Sequence, residues 1–135
     1  MYQKIVVVGY LGRDPEMRYT PSGVPVTNFS IATTRKWTSQ DGTPGEETTW
    51  FRVAAWRKLA ETCNQYLSKG QLVLVEGRLN PDENGSPRVF QRQDGSYGAS
   101  YELTARTVRF LGRREPAAPE VEGPAPAIEE EDVPF

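Results

Sequence analysis

The chain has 135 residues, with 16 Lys and Arg against 18 Asp and Glu, one cysteine and no histidine. A single cysteine excludes an internal disulfide and a CxxC pair for redox chemistry or zinc. The lack of histidine removes the usual general base, the Ser-His-Asp and Cys-His arrangements and the commonest transition-metal ligand. The length suits one compact domain with a tail.

The near-neutral total conceals an asymmetry. Residues 1–114 hold all 16 basic side chains and 11 acidic ones, while residues 115–135 hold seven acids and no base. A basic body suits a polyanion, and the tail does not. The N-terminal stretch MYQKIVVVGYLG lacks the basic start, long apolar core and small-residue cleavage site of a signal peptide. Apolar runs such as Ile5 to Val8 and Leu72 to Val75 fall far short of the ~20 residues that cross a bilayer. A soluble, intracellular protein is expected.

In chain order, Lys4 to Leu11 is rich in Val and Ile, ends at Gly12 and predicts a first strand. The turn sequence Thr20-Pro21-Ser22-Gly23 introduces a second strand, Val24 to Lys36, and residues Thr38 to Glu47 read as a polar loop. Thr48 to Trp56 is the third strand. Between Trp56 and Gly70 the period changes: Leu59, Cys63, Tyr66 and Leu67 fall on one face of a short helix that Lys69-Gly70 would end. Cys63 then reads as a small core residue and not as a nucleophile. Gln71 to Leu79 and Ser100 to Phe110 complete five strands. A mainly β chain with one helix between strands three and four has the element order of an OB-fold, a five-stranded Greek-key barrel, although other small α+β barrels share similar element strings.

Strand alternation separates Phe51, Val53 and Ala55 from Trp50, Arg52 and Trp56. A face interleaving Trp with Arg covers a core poorly but suits nucleic acid, because bases stack on aromatic rings while cations track the phosphates. The same mixture recurs at Arg35-Lys36-Trp37, at Arg88 to Arg92, at Arg13, Arg18 and Tyr19, and at Arg57 and Lys58. Any one aromatic at strand spacing can equally be core; Phe29, Phe51, Tyr66 and Phe110 are the core candidates. No GxGxxG or GxxxxGK[ST] loop occurs. The acidic pairs Asp14 with Glu16 and Asp82 with Glu83 sit beside turn residues, so no metal, cofactor or catalytic residue is expected. The chain reads as a binding protein and not an enzyme.

The stretch EPAAPEVEGPAPAIEEEDVPF has no hydrophobic periodicity and cannot bury enough apolar surface to offset ordering entropy, so it is expected to be disordered. An acidic tail can serve solubility alone. Here the acids at Glu129 to Asp132 precede Val133-Pro134-Phe135, and an apolar ring with adjacent charge suits a greasy partner pocket with a basic rim.

These residues resemble the bacterial single-stranded DNA-binding protein (SSB) family. The resemblance is carried by KIVVVGYLGRDPEMRYTPSG at Lys4 to Gly23, WFRVAAWRKLAE at Trp50 to Glu61, YLSKGQLVLVEGRL at Tyr66 to Leu79 and the terminal DVPF. It implies an OB-fold domain for ssDNA binding and oligomerisation at 1–112, and a disordered linker with an acidic tip at 113–135. It implies sequence-independent binding and protection of single-stranded DNA, with base stacking on Trp37, Trp50, Trp56 and Phe90 and an accessory ring at Tyr19. Phosphate contacts fall to Lys4, Arg18, Arg35, Arg52 and Lys58. The resemblance further implies a homotetramer, a bacterial cytoplasmic, nucleoid-associated location, and recruitment of replication, recombination and repair enzymes by Asp132, Val133, Pro134 and Phe135. In this family Phe is common where Trp56 stands, Trp where Phe90 stands, and His where Phe51 stands; the excursion Asn80 to Pro87 is longer than usual. An OB-fold RNA- or oligosaccharide-binding module is the alternative.

Overall fold

The computed structural model describes residues 1–113; the expected tail, with Asp132, Val133, Pro134 and Phe135, lies outside them. Along the chain come β1 (Ile5–Leu11), β2 (Glu16–Tyr19), β3 (Pro25–Thr38), β4 (Pro44–Trp56), α1 (Arg57–Tyr66), β5 (Gln71–Leu79), β6 (Arg88–Gln91) and β7 (Tyr97–Arg113). Five of the strands close a barrel in the order β1-β5-β7-β4-β3, and β3 pairs back to β1 through Tyr10↔Ala32 and Leu11↔Ile31. The pairings are antiparallel except β4 with β7, which is parallel from Phe51↔Tyr101 to Ala54↔Thr104. The helix lies between the third and fourth barrel strands, so the expected OB-fold is the observed one.

Period-2 alternation fills the interior. Val7 and Leu11 of β1, Phe29 and Ile31 of β3, Val53 and Ala55 of β4, Val73 and Val75 of β5, and Leu103 and Ala105 of β7 form one buried cluster with Cys63 and Leu67. One polar side chain joins them: the buried Thr27 hydroxyl donates to the Ala60 carbonyl at 2.7 Å and ties β3 to α1. The helix ends earlier than the Lys69-Gly70 signal suggests, because Leu67 takes extended backbone (φ −87, ψ 149) and turns into the core.

Two core assignments are corrected. Tyr66 and Phe110 are 57% and 40% exposed. Tyr66 is the last helical residue and leaves the core position to Leu67, while Phe110 pairs with Val73 beyond a register shift in β5–β7. Their rings pack on each other, with centroids 6.2 Å apart. Phe29 is buried, and Phe51 is partly buried against the core.

The sheet is also more extensive than five strands. β2 pairs with β3, and β6 pairs with β7, each without the apolar alternation that marks a strand in sequence. Half of the expected loop at residues 38–47 is ladder: β3 and β4 pair out to Thr38↔Pro44, and residues 39–43 form the tip. There Ser39 N donates to Thr43 O at 2.8 Å and Gly42 N to Ser39 O at 2.9 Å. The same two bonds recur between Arg92, Gly95 and Ser96, and in both tips the glycine has positive φ, 86° at Gly42 and 91° at Gly95, which a side chain would resist. Asp41 and Asp94 fasten the tips by accepting from Thr43 and Ser96, and these hydrogen bonds hold both carboxyls below their ordinary range.

Thr27→Val is expected to cost about 1–2 kcal/mol of unfolding free energy in urea, since a buried hydrogen bond is lost at nearly constant volume. Burial pushes the Cys63 thiol up to about 11, above its ordinary value, so it favours the fold at neutral pH and loses that contribution as pH rises toward 11. Thiol reagents should therefore label the native protein at pH 7 far more slowly than the urea-unfolded chain; equal rates would place Cys63 at the surface.

Candidate nucleic-acid interface

The side chains that strand alternation turns outward from β3 and β4 floor a groove of about 670 Å³. Asn28 and Ser30 come from β3 and Trp50 and Arg52 from β4, while Phe90, Ser100 and Tyr101 reach over from the β6–β7 arm. Three expected site residues, Trp50, Arg52 and Phe90, thus meet in one cavity although 38 positions separate Arg52 from Phe90. The ladder explains the first two: Trp50 pairs with Ala32 and Arg52 with Ser30, both small neighbours that leave the larger side chains standing clear.

The remaining site residues are placed around this groove or away from it. Trp37 is 40% exposed on the β3–β4 hairpin, with the Arg35 guanidinium 4.7 Å from its ring centroid. Arg35 also bonds Glu47 at 2.7 Å, its direct cross-strand partner. Trp56 and Arg18 share a ladder row, both paired with Val26, and Tyr19 follows opposite Pro25, so these three gather near the β2 edge. Lys58 is exposed in the first turn of α1 beside them. Lys4 does not join: it precedes β1 and pairs with Glu76 of β5 at 3.1 Å. The Glu76 hydrogen bond and charge hold the Lys4 ammonium above its ordinary range.

Among the described residues Arg52 makes no salt bridge, and its guanidinium stands in the groove beside Trp50. An unpaired cation next to an exposed indole is the arrangement that binds a phosphate and its base together. Tyr101 and Arg13 also line the groove. Tyr101 shares the inward parity of Leu103 and Ala105, which marks it as core in the sequence, yet it packs against Phe51 at 5.7 Å and remains 59% exposed. Arg92, which closes the aromatic-basic run Arg88 to Arg92, lies 5.5 Å from the Phe90 ring centroid and donates to the Tyr97 carbonyl at 2.8 Å.

A Greek-key barrel carrying exposed aromatics beside cations on an outer groove is an OB-fold protein with a candidate nucleic-acid face. The model of the Single-strand binding protein family matches residues 2–111, and this chain belongs to that family. A single-stranded DNA-binding protein of Neisseria meningitidis serogroup A is 42% identical over 111 residues, which are 82% of this chain and 60% of that protein's length. One from Oceanobacillus iheyensis is 40% identical over 111 residues, covering 82% of this chain and 64% of the relative. The chain thus matches somewhat under two thirds of the length of these relatives. Among solved structures, the small single-stranded DNA-binding protein of Streptomyces coelicolor superposes with a TM-score of 0.66 at 28% identity, covering 81% of this chain and 94% of that one. A Plasmodium falciparum SSB in complex with ssDNA shares the fold, with a TM-score of 0.67 at 23% identity, covering 82% and 96%.

Trp37, Trp50 and Trp56 are 40%, 51% and 42% exposed. Acrylamide should therefore quench all of the tryptophan emission of the folded protein along one uniform curve. A protected component of about a third of the intensity would bury one indole and contradict this placement.

Proposed function

We propose that this chain binds single-stranded DNA without sequence preference, holding bases on exposed rings and phosphates on nearby cations. The observation that carries the reading is the groove in which Trp50, Arg52 and Phe90 converge from separate elements. Stacking suits any base because every base has a π-face, and a groove floored by β-strands, with no helix lining it among the described residues, favours a flexible strand over a duplex. The relatives and neighbours named above, called single-stranded DNA-binding proteins, support the same reading.

In this reading Trp37, Trp50, Trp56 and Phe90 stack bases, with Tyr19 as accessory ring. Arg18, Arg35, Arg52 and Lys58 contact phosphate. Lys4 does so only by leaving Glu76, an exchange that an exposed ion pair permits at little cost. The domain at 1–112 does the binding, and the segment at 113–135 offers Asp132, Val133, Pro134 and Phe135 to replication, recombination and repair enzymes. The reading includes no catalytic step of the chain's own, and a cytoplasmic, nucleoid-associated setting follows from the DNA ligand. A homotetramer is part of the proposal: the outward residues of β1 and β5 (Val6, Val8, Tyr10, Leu72 and Leu74) form an apolar sheet face alongside the barrel, suited to a second copy.

Trp50→Ala should weaken oligo-dT binding by about 1–3 kcal/mol, measured by anisotropy of a labelled oligonucleotide. Phe135→Ala should leave that affinity unchanged while reducing capture of enzymes by the full chain. Log Kobs should fall with log salt at a slope of about −0.7 per phosphate neutralised, and a salt-insensitive interaction would contradict the basic track. Matched RNA binding more tightly than DNA would instead favour an RNA-binding module.

A further inference from the structure

The β3–β4 hairpin and the β6–β7 hairpin are built from one pattern. Trp37-Thr-Ser-Gln-Asp-Gly-Thr-Pro-Gly45 and Phe90-Gln-Arg-Gln-Asp-Gly-Ser-Tyr-Gly98 align position for position: an aromatic, Gln-Asp-Gly at the tip, a hydroxyl residue, and a glycine eight positions after the aromatic. The tips close with the same pair of backbone bonds, so in each hairpin the aromatic is the direct cross-strand partner of the last glycine, Trp37↔Gly45 and Phe90↔Gly98. In each, an arginine two positions from the aromatic lies over the ring, Arg35 at 4.7 Å and Arg92 at 5.5 Å.

The closing glycines are not required by the backbone, for neither has positive φ. They are required by the rings. A Cβ on Gly45 would overlap the Trp37 indole at Cε2, Cζ2 and Nε1. A Cβ on Gly98 would meet the Arg92 guanidinium first, 2.5 Å from Nη2 and 2.8 Å from Cζ, and then Cζ of Phe90 at 2.9 Å, so there the ring and the arginine lying on it fill the space together. Gly12 repeats the relation in the groove, where a Cβ would lie 2.6 and 2.7 Å from Cζ3 and Cη2 of Trp50.

We propose that the two hairpin tips are equivalent stacking platforms for single-stranded nucleic acid, in which Gly45 and Gly98 are positioning residues that seat Trp37 and Phe90. Resting on bare backbone, each ring gains contact with the opposite strand and loses rotamer freedom before any ligand arrives, so less entropy is lost when a base stacks. The arginine on the same ring fixes it from the side and brings a phosphate partner. The Gln-Asp-Gly turn holds strand spacing so that ring and glycine meet. This inference rests on the single-strand reading and assigns matched roles to two arms that differ in aromatic residue and position.

The test is a double-mutant cycle on the full chain, with labelled oligo-dT as probe and thermal unfolding of every variant. Gly45→Ala and Gly98→Ala should each weaken binding about three- to tenfold, the loss of a share of one stacking contact. Gly45→Ala should cost nothing further in a Trp37→Ala background, nor Gly98→Ala in Phe90→Ala, and melting temperatures should hardly move because both tips are exposed. Near-UV circular dichroism of the free protein should change for Gly45→Ala, reporting the unseated indole without any DNA. Equal losses in both backgrounds, full affinity of the glycine variants where Trp37→Ala and Phe90→Ala are weakened, or an unchanged near-UV spectrum would overturn the seat. If Trp37→Ala and Phe90→Ala themselves bind oligo-dT as the parent does, the stacking reading fails for these arms, and the near-UV change still decides the seat.

Discussion

Strand β1 must serve two neighbours at once, and the rest of the molecule follows from how it does so. It pairs with β5 from Ile5 to Tyr10 and, at its far end, with β3 through Tyr10↔Ala32 and Leu11↔Ile31. Those two pairs turn an open sheet into a barrel, which removes both edges of the five-stranded sheet. The approach is close: a Cβ on Gly9 would overlap the Ala32 carbonyl, and on neighbouring β5 one on Gly77 would overlap the Thr104 carbonyl, next to a register shift in β5–β7. Glycine at these two places lets the sheet bend tightly enough to bring Ile31, Val53, Val73, Val75 and Leu103 to essentially complete burial.

Closure also sets the groove. The residue after β1 is Gly12, whose N–H donates to the Ser30 carbonyl at 3.2 Å and whose bare Cα lies under Trp50. A barrel that did not close here would leave Trp50 without its support and Arg52 without the facing wall from Arg13 and Asp14. Outside the barrel, the two hairpin arms carry their arginines in exposed ion pairs, Arg35 with Glu47 and Arg88 with Glu102. Such pairs are individually weak and screened by salt, so they orient the guanidinium groups while leaving them readily exchanged for another partner. The core thus supplies rigidity, while the outer faces supply rings and cations whose partners can be exchanged.

Alternation made the barrel legible in sequence, because β1, β3, β4, β5 and β7 bury alternate residues where they line the barrel and are bounded by turn residues. The division of Trp50 and Arg52 from Phe51 and Val53 is a property of a single strand and could be read there. β2 and β6 escaped because both are exposed edge additions with no apolar face to bury, so nothing in their composition distinguishes them from polar loops. The length of the β3–β4 arm was hidden for the same reason: its ladder out to Thr38↔Pro44 is held by backbone bonds and cross-strand polar pairs such as Thr34 with Thr48. Tyr66 and Phe110 were misplaced because period alone does not say where a barrel ends. Convergence of Phe90 with Trp50 depends on a pairing of distant strands, which no local pattern carries. Lys4, taken from resemblance, stands against Glu76 for a related reason: the partner is supplied by a strand some seventy positions away.

The account turns on whether the exposed rings receive the bases of a single strand. The direct measurement is intrinsic tryptophan fluorescence of the full chain during titration with oligo-dT at low and at high salt, with duplex DNA of equal length alongside. Stacking on indoles beside cations predicts strong quenching by the single strand alone, at lower oligonucleotide concentration in low salt than in high. Unchanged emission, or an equal response to the duplex, would show that Trp37, Trp50 and Trp56 do not stack bases and would contradict the proposed function.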